Sequence, residues 1–201
     1  MSSASSSLPD ALRAVLLDPV AATAVEVHGR TKAAVLVPLY EHEGALHAVF
    51  TRRHSDLRSH AGEISFPGGR RDRADADLLS TALREADEEI GLPRDAVDVL
   101  GALCPTPTVA TNFGVYPFVG LIAPGRAWAL SPREVDEVLE LRLADLRAAS
   151  ARRRLLHRGI PFRSVVYDVS AAAVIWGATA RIVGDLLARV DPLLDGDRAG
   201  G

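Results

Sequence analysis

Apolar and polar positions along this chain repeat with two different periods, and the changes of period divide it into elements. Residues 33–40 (AAVLVPLY) form an apolar run suited to a buried strand. The turn-forming stretch 41–44 separates it from a second apolar run at 45–51, which predicts a hairpin. Residues 78–91 change to a helical period: Leu79, Ala82, Leu83, Ala86 and Ile90 form one stripe, and Gly91 with Pro93 ends it. A short helix is expected at 10–18, with Asp10 as its N-cap and Pro19 just past its end. Further strands are expected at 63–66, 97–103, 115–122, 135–143 and 163–169, a short helix at 144–149 and a closing helix at 171–190. Between the hairpin and the helix at 78 lies a long connection rich in Gly and Arg, and such connections are more often functional than idle. Strands mixed with a few helices, without regular βαβ alternation, predict an α+β domain on a mixed sheet.

Composition narrows the class without naming it. The 201 residues are 48% hydrophobic and 24% charged, the profile of a globular domain with its own core. One domain is expected over residues 10–195, with flexible ends at 1–9 and 196–201. A net charge of −3 gives no global case for nucleic acid or a membrane surface as partner. The single cysteine, Cys104, has no intrachain disulfide partner, and no Cys/His cluster points to zinc. The Ser-rich N-terminus lacks the basic and apolar regions of a secretory signal, and the uncharged stretch 169–180 is too short to cross a bilayer. A reducing, cytoplasmic setting is the expectation. Arginine far outnumbers lysine, of which Lys32 is the only example, and the run Arg152–Arg154 is expected to lie in a solvated turn.

The chemistry gathers on the helix at 78–91. At about 100° per residue, Glu85, Glu88 and Glu89 stand on one ridge beside the apolar stripe. Like charges at that spacing repel by a few tenths of a kcal/mol, roughly, for each exposed pair. On an isolated helix the ordinary explanation is a solvated acidic face. The neighbourhood favours another. Hard divalent cations take oxygen ligands, and an acidic ridge beside a glycine-rich, phosphate-binding loop can place them against a diphosphate.

Residues 84–92, READEEIGL, resemble the core of the Nudix box, R-E-U-x-E-E-x-G-U with U aliphatic, except that Ala86 stands at the first U. Phe66-Pro67-Gly68-Gly69 precedes it at nearly the family distance. The family pattern puts a Gly fourteen and a Glu eight positions before the Arg; here those positions hold Arg70 and Ala76, with Asp75 and Asp77 on either side of Ala76. The loop is thus similar to a Nudix loop lengthened by one residue. Upstream, Thr51, Arg53, Arg58, Gly62 and Phe66 to Gly69 match the signature of the coenzyme A pyrophosphatase branch of that family, L-L-T-x-R-[SA]-x3-R-x3-G-x3-F-P-G-G. Val49-Phe50 replaces its two leucines and His54 its Ser or Ala. Segments around residues 117–120, 131–135 and 175–180 are similar to that branch as well.

The resemblance implies the Nudix fold, a mixed sheet between helices with the box as loop–helix–loop. It also implies cleavage of coenzyme A or acyl-CoA to adenosine 3′,5′-bisphosphate and (acyl-)4′-phosphopantetheine, with Mg²⁺ or Mn²⁺ as cofactor. Glu85, Glu88 and Glu89 are then the metal ligands, Glu89 central, with the Gly69 carbonyl as an additional one, and Arg84 orients Glu85 or its neighbours. Arg53, Arg58, Gly62, Phe66, Gly68, Gly69, Arg70 and His60 are the substrate-binding set; guanidinium forks suit phosphate oxygens. Glu134 and Glu137 stand as general-base candidates. Two other readings stay open: a Nudix pyrophosphatase for dinucleotides or oxidised nucleotides, and a catalytically silent ligand-binding module.

Overall fold

The computed structural model describes residues 7–29, 31–54, 62–108, 112–157, 160–170 and 173–194. Its strands are β1 (Thr31–His42), β2 (Ala45–Arg53), β3 (Ile64–Ser65), β4 (Gly68–Arg70), β5 (Asp98–Ala102), β6 (Thr106–Pro107), β7 (Phe113–Leu121), β8 (Val135–Arg142), β9 (Ser150–His157), β10 (Ile160–Ser170) and β11 (Ala173–Ile175). The α-helices are α1 (Leu8–Val15), α2 (Pro19–Ala24), α3 (Leu78–Ile90), α4 (Leu143–Ala148) and α5 (Gly177–Leu194).

The main sheet is mixed. Strand β1 runs parallel to β7 and antiparallel to β2, the hairpin turning at Glu43 and Gly44, both with positive φ. The N-terminal half of β1 also pairs antiparallel with β4, so the glycine pair is fastened to the sheet opposite Ala34 and Val35. Strand β2 carries β8 along its other edge, β3 pairs with Thr51 and Arg52 on the same edge as β1, and β7 carries β5 and β6. A second sheet has the order β11-β10-β9, and β11 packs against β3.

Alternation along β1 sends its side chains to two cores. Ala33, Val37 and Leu39 join Phe50, Phe66 and the inner faces of α1, α4 and α5. Ala34, Leu36 and Tyr40 join Val49 and the stripe of α3, namely Leu78, Ala82, Leu83, Ala86 and Ile90. A sheet that is apolar on both faces needs helices on both, and the expected α+β sandwich is the result.

Three local expectations are revised. The helix expected at 10–18 spans Leu8–Val15 and a second short helix follows it: Ser7, not Asp10, caps α1 by accepting from the Asp10 N–H, and Asp18 caps α2 by accepting from the Ala21 N–H. Pro19 opens α2, because the first helical position needs no N–H donor. Leu8 and Pro9, expected in a flexible end, therefore begin α1; residues 1–6 and 195–201 lie outside the described residues. The closing helix starts at Gly177, and Ala173–Ile175 pairs with β10 instead. Arg152–Arg154 lies on β9, not in a turn. In a strand three consecutive arginines alternate between faces, a pattern that composition alone does not separate from a solvated loop.

Candidate active site

Helix α3 is placed by its ends and its stripe. Asp77 caps it by accepting from the Ser80 N–H at 2.7 Å, and Gly91 closes it in the left-handed conformation, φ 66°. With the apolar stripe on the sheet, two carboxylates of the ridge reach β4. Glu89 accepts a hydrogen bond from the Gly68 N–H at 3.2 Å. Glu85 lies so close to Gly69 that a Cβ there would sit 2.5 Å from its carboxyl carbon. At Gly68 a Cβ would meet the Ala34 carbonyl oxygen at 2.4 Å, so the side-chain-free pair is what lets β1, β4 and α3 meet.

Glu88 behaves differently. Its half-exposed carboxylate accepts from Arg84 Nη1 at 2.9 Å. The ridge therefore divides, with Glu85 and Glu89 at the glycine pair and Glu88 against Arg84. Among the described residues, no group of three His, Cys, Asp or Glu side chains is gathered tightly enough to hold a metal ion by itself.

Burial raises the Glu89 pKa to about 8, against the lowering effects of the Gly68 N–H and Arg53 and with smaller raising effects from Glu85 and Glu134. Burial also raises that of Glu85, with Arg84 opposing and Glu88 and Glu134 adding to the rise. Arg53 Nη1 lies 3.8 Å from Glu89 Oε1, a loose pair that compensates little of the negative charge. Its Nε is buried without a partner among the described residues. Glu134, exposed at the mouth of the site, interacts electrostatically with both buried glutamates. Oxygen donors short of positive charge fit a hard divalent cation, which prefers such ligands and completes its shell with water and substrate phosphate. Glu85, Glu88, Glu89 and the Gly69 carbonyl are the groups available to hold it.

Arg84 joins the helix to the loop. Its Nε and Nη2 donate to Asp75 Oδ1 and Oδ2 at 2.9 and 3.1 Å, and Nη2 also lies 2.9 Å from Glu85 Oε1. Asp75 further accepts from Thr81 Oγ1 and the Asp72 N–H. The Arg84 guanidinium holds the Asp75 pKa well below the usual carboxylate range. Ala76 stands at the position where the family pattern has a Glu. The fold supplies Asp75, while Asp77 is committed to capping. A carboxylate nine residues before Arg84 was the available signal.

The remaining candidates separate. Neighbours on a strand leave opposite faces, so Arg53 turns toward Glu89 while Arg52 turns to Glu137, its Nε 3.0 Å from Glu137 Oε2 without hydrogen-bond alignment. Glu137 thus belongs to a cross-strand ion pair. Glu134 is tied in by its backbone, its N–H donating to the Ser131 carbonyl and its carbonyl accepting from His54 N–H. The same loop is bound to the end of α3 by Ala129 N–H to Ile90 and Ser131 N–H to Glu89, contacts that no local motif announced. Phe66 is buried and stacked on Phe50 at 4.4 Å between ring centroids. Gly62 has φ 70° and donates to the Arg53 carbonyl. The Arg70 side chain is exposed, and its carbonyl accepts from Arg84. Arg58 and His60 lie outside the described residues.

Comparison with known proteins bears on the family and the fold. The NUDIX domain family matches residues 30–159. The chain is 40% identical over 161 residues to the uncharacterized Nudix hydrolase NudL of Cronobacter sakazakii, covering 79% of this chain and 82% of that protein. Against the protein of the same name from Pectobacterium atrosepticum it is 38% identical over 165 residues, covering 82% and 85%. Among solved structures, the MutT/nudix family protein from Enterococcus faecalis superposes with a TM-score of 0.54 over 84% of this chain and 64% of that one. At 16% identity that likeness bears on the fold alone. With a family match over most of its length, and with the glutamates of its box brought to the glycine pair, the chain belongs to the Nudix family of hydrolases, enzymes of pyrophosphate bonds.

Proposed function

We propose that this enzyme hydrolyses the diphosphate bond of coenzyme A and acyl-CoA, giving adenosine 3′,5′-bisphosphate and (acyl-)4′-phosphopantetheine, with Mg²⁺ or Mn²⁺ as cofactor. The observation that carries the chemistry is the meeting of Glu85 and Glu89 with Gly68-Gly69, with Arg53 beside them. The substrate assignment is supported by the signature that places Thr51, Arg53, Arg58 and Gly62 ahead of that pair.

Glu85, Glu88 and Glu89 hold the cation, with the Gly69 carbonyl as a further donor. When bound, the cation neutralises diphosphate charge and makes a bound water more acidic. Arg53 binds a phosphate oxygen, for which its loosely paired guanidinium is free to turn. Arg84, anchored by Asp75, fixes the direction of Glu85. Glu134 accepts the proton of the attacking water as its oxygen bonds to phosphorus and the bridging P–O bond breaks. Glu134 is preferred to Glu137 because only the former interacts with the buried glutamates.

The test is a product assay with coenzyme A, dinucleotides and oxidised nucleotides offered separately with Mg²⁺ or Mn²⁺. Adenosine 3′,5′-bisphosphate as the favoured product is the expected result. Turnover of the other nucleotides alone would overturn the substrate assignment and leave the pyrophosphatase chemistry standing. Binding without turnover of any of them would make the chain a silent module.

A further inference from the structure

We propose that the outer face of the β9–β10 hairpin docks on an anionic phospholipid bilayer. The register pairs Arg152 with Val165, Arg154 with Arg163 and Leu156 with Pro161, so these six side chains share one face. All six are exposed, Leu156 to 75%. The arginines of this face have no acidic partner among the described residues. Arg153, which points the other way, does: its Nη2 is 2.7 Å from Asp168 Oδ2.

Protection of a sheet edge accounts for only part of this pattern. Strand β9 is an edge, where charged side chains discourage further pairing, and β11 covers β10 only at residues 167–170. Edge protection does not call for Arg163 directly across from Arg154, a like-charge pairing that costs stability. Solubility does not account for Leu156 and Val165 being exposed beside the arginines. A surface that presents guanidinium and aliphatic groups together matches the bilayer interface, where phosphates lie above hydrocarbon. An open groove of about 470 Å³, lined by Arg152 to Arg154 and Arg163 to Val165, has room for a lipid headgroup. The net charge of −3 opposes a general attraction to anionic membranes, so docking is confined to this face. Among the described residues no helix is long and apolar enough to cross a membrane, and the contact proposed is peripheral.

The full chain, mixed with phosphatidylcholine vesicles with or without phosphatidylglycerol and then sedimented, tests this. It should pellet with the phosphatidylglycerol vesicles at low salt, stay in solution with phosphatidylcholine alone, and be released by salt. Reversing charge at Arg152, Arg154 or Arg163 should weaken partitioning about fivefold each, and all three together roughly a hundredfold. Arg154→Lys should keep most of the binding, and Leu156→Asp should remove the part that survives high salt. Hydrolysis of soluble substrate serves as the folding control and should be unchanged in all these variants. Failure to pellet with phosphatidylglycerol at low salt overturns the proposal, as does binding that ignores charge reversal. So does capture of glycerophosphate or RNA by this face without vesicle binding.

Discussion

The α3 ridge and the β9–β10 hairpin both crowd like charges, and the fold treats them in opposite ways. On α3 the carboxylates are drawn inward. Glu89 is nearly buried, Glu85 is pressed on Gly69, and Arg84 links Asp75, Glu85 and Glu88 in one network. On the hairpin the arginines remain in water, where the high dielectric keeps their repulsion small. The contrast teaches that crowding alone does not mark a reactive site. Desolvation does, because it turns a minor repulsion into a strong demand for a counter-ion.

That contrast can be broken most sharply at Glu89. Glu89→Gln should lower turnover roughly a thousandfold by removing a buried metal ligand, measured as kcat at saturating Mg²⁺. The same change should stabilise the cation-free protein at alkaline pH. Between pH 4.5 and about 8 the folded chain retains a proton that the unfolded chain releases. Stability of the wild type should thus fall as pH rises through that window, by on the order of 5 kcal/mol in chelator. A wild-type stability curve that is flat there, or that Glu89→Gln leaves unaltered, would remove desolvation as the source of the demand.

Next in size is the anchor of the network. Asp75→Ala leaves Arg84 without its buried partner and should cost about 3 kcal/mol in denaturant unfolding. It should also lower kcat, as Glu85 loses its guide. Asp75 has a depressed pKa, so its contribution is full above the unfolded value near 3.8 and is lost as pH falls toward the folded one. The variant should therefore flatten the acid side of the stability curve.

Glu134→Gln comes third. Loss of a general base should reduce kcat by about a hundredfold, with little change in unfolding because the side chain is exposed. An equal loss in Glu137→Gln, with Glu134→Gln active, would reverse the assignment. The smallest effect belongs to the hairpin: Arg154→Glu should alter unfolding by no more than about 0.5 kcal/mol. A larger change would show that the face is supported by contacts within the fold, and that it is not a solvated counterpart of α3.

Much of this was legible before folding because it depends on periodicity and local chemistry. The 3.6-residue stripe of α3, its Gly91 stop and the ridge of Glu85, Glu88 and Glu89 follow from spacing alone, and the alternation in β1 announces a strand apolar on both faces. The motif match then located the glycine pair. Other features have no local signature. That Phe66 faces the core while Gly68 and Gly69 face the carboxylates depends on where β4 pairs with β1. That Asp75, and neither of its neighbours, meets Arg84 depends on how the lengthened loop is accommodated. A helical wheel gives Glu88 a direction but no partner, and that Arg84 holds its half-exposed carboxylate depends on the fold.

By itself, then, the sequence determined which residues share a helix face, where that helix begins and ends, and the chemical class of its ridge. These are consequences of backbone geometry acting over a few residues. Only the tertiary structure decided which carboxylates lose water, which arginines are paired and which remain free. Burial and pairing are set by segments far apart in the chain, and their energies change severalfold with the depth at which those segments meet.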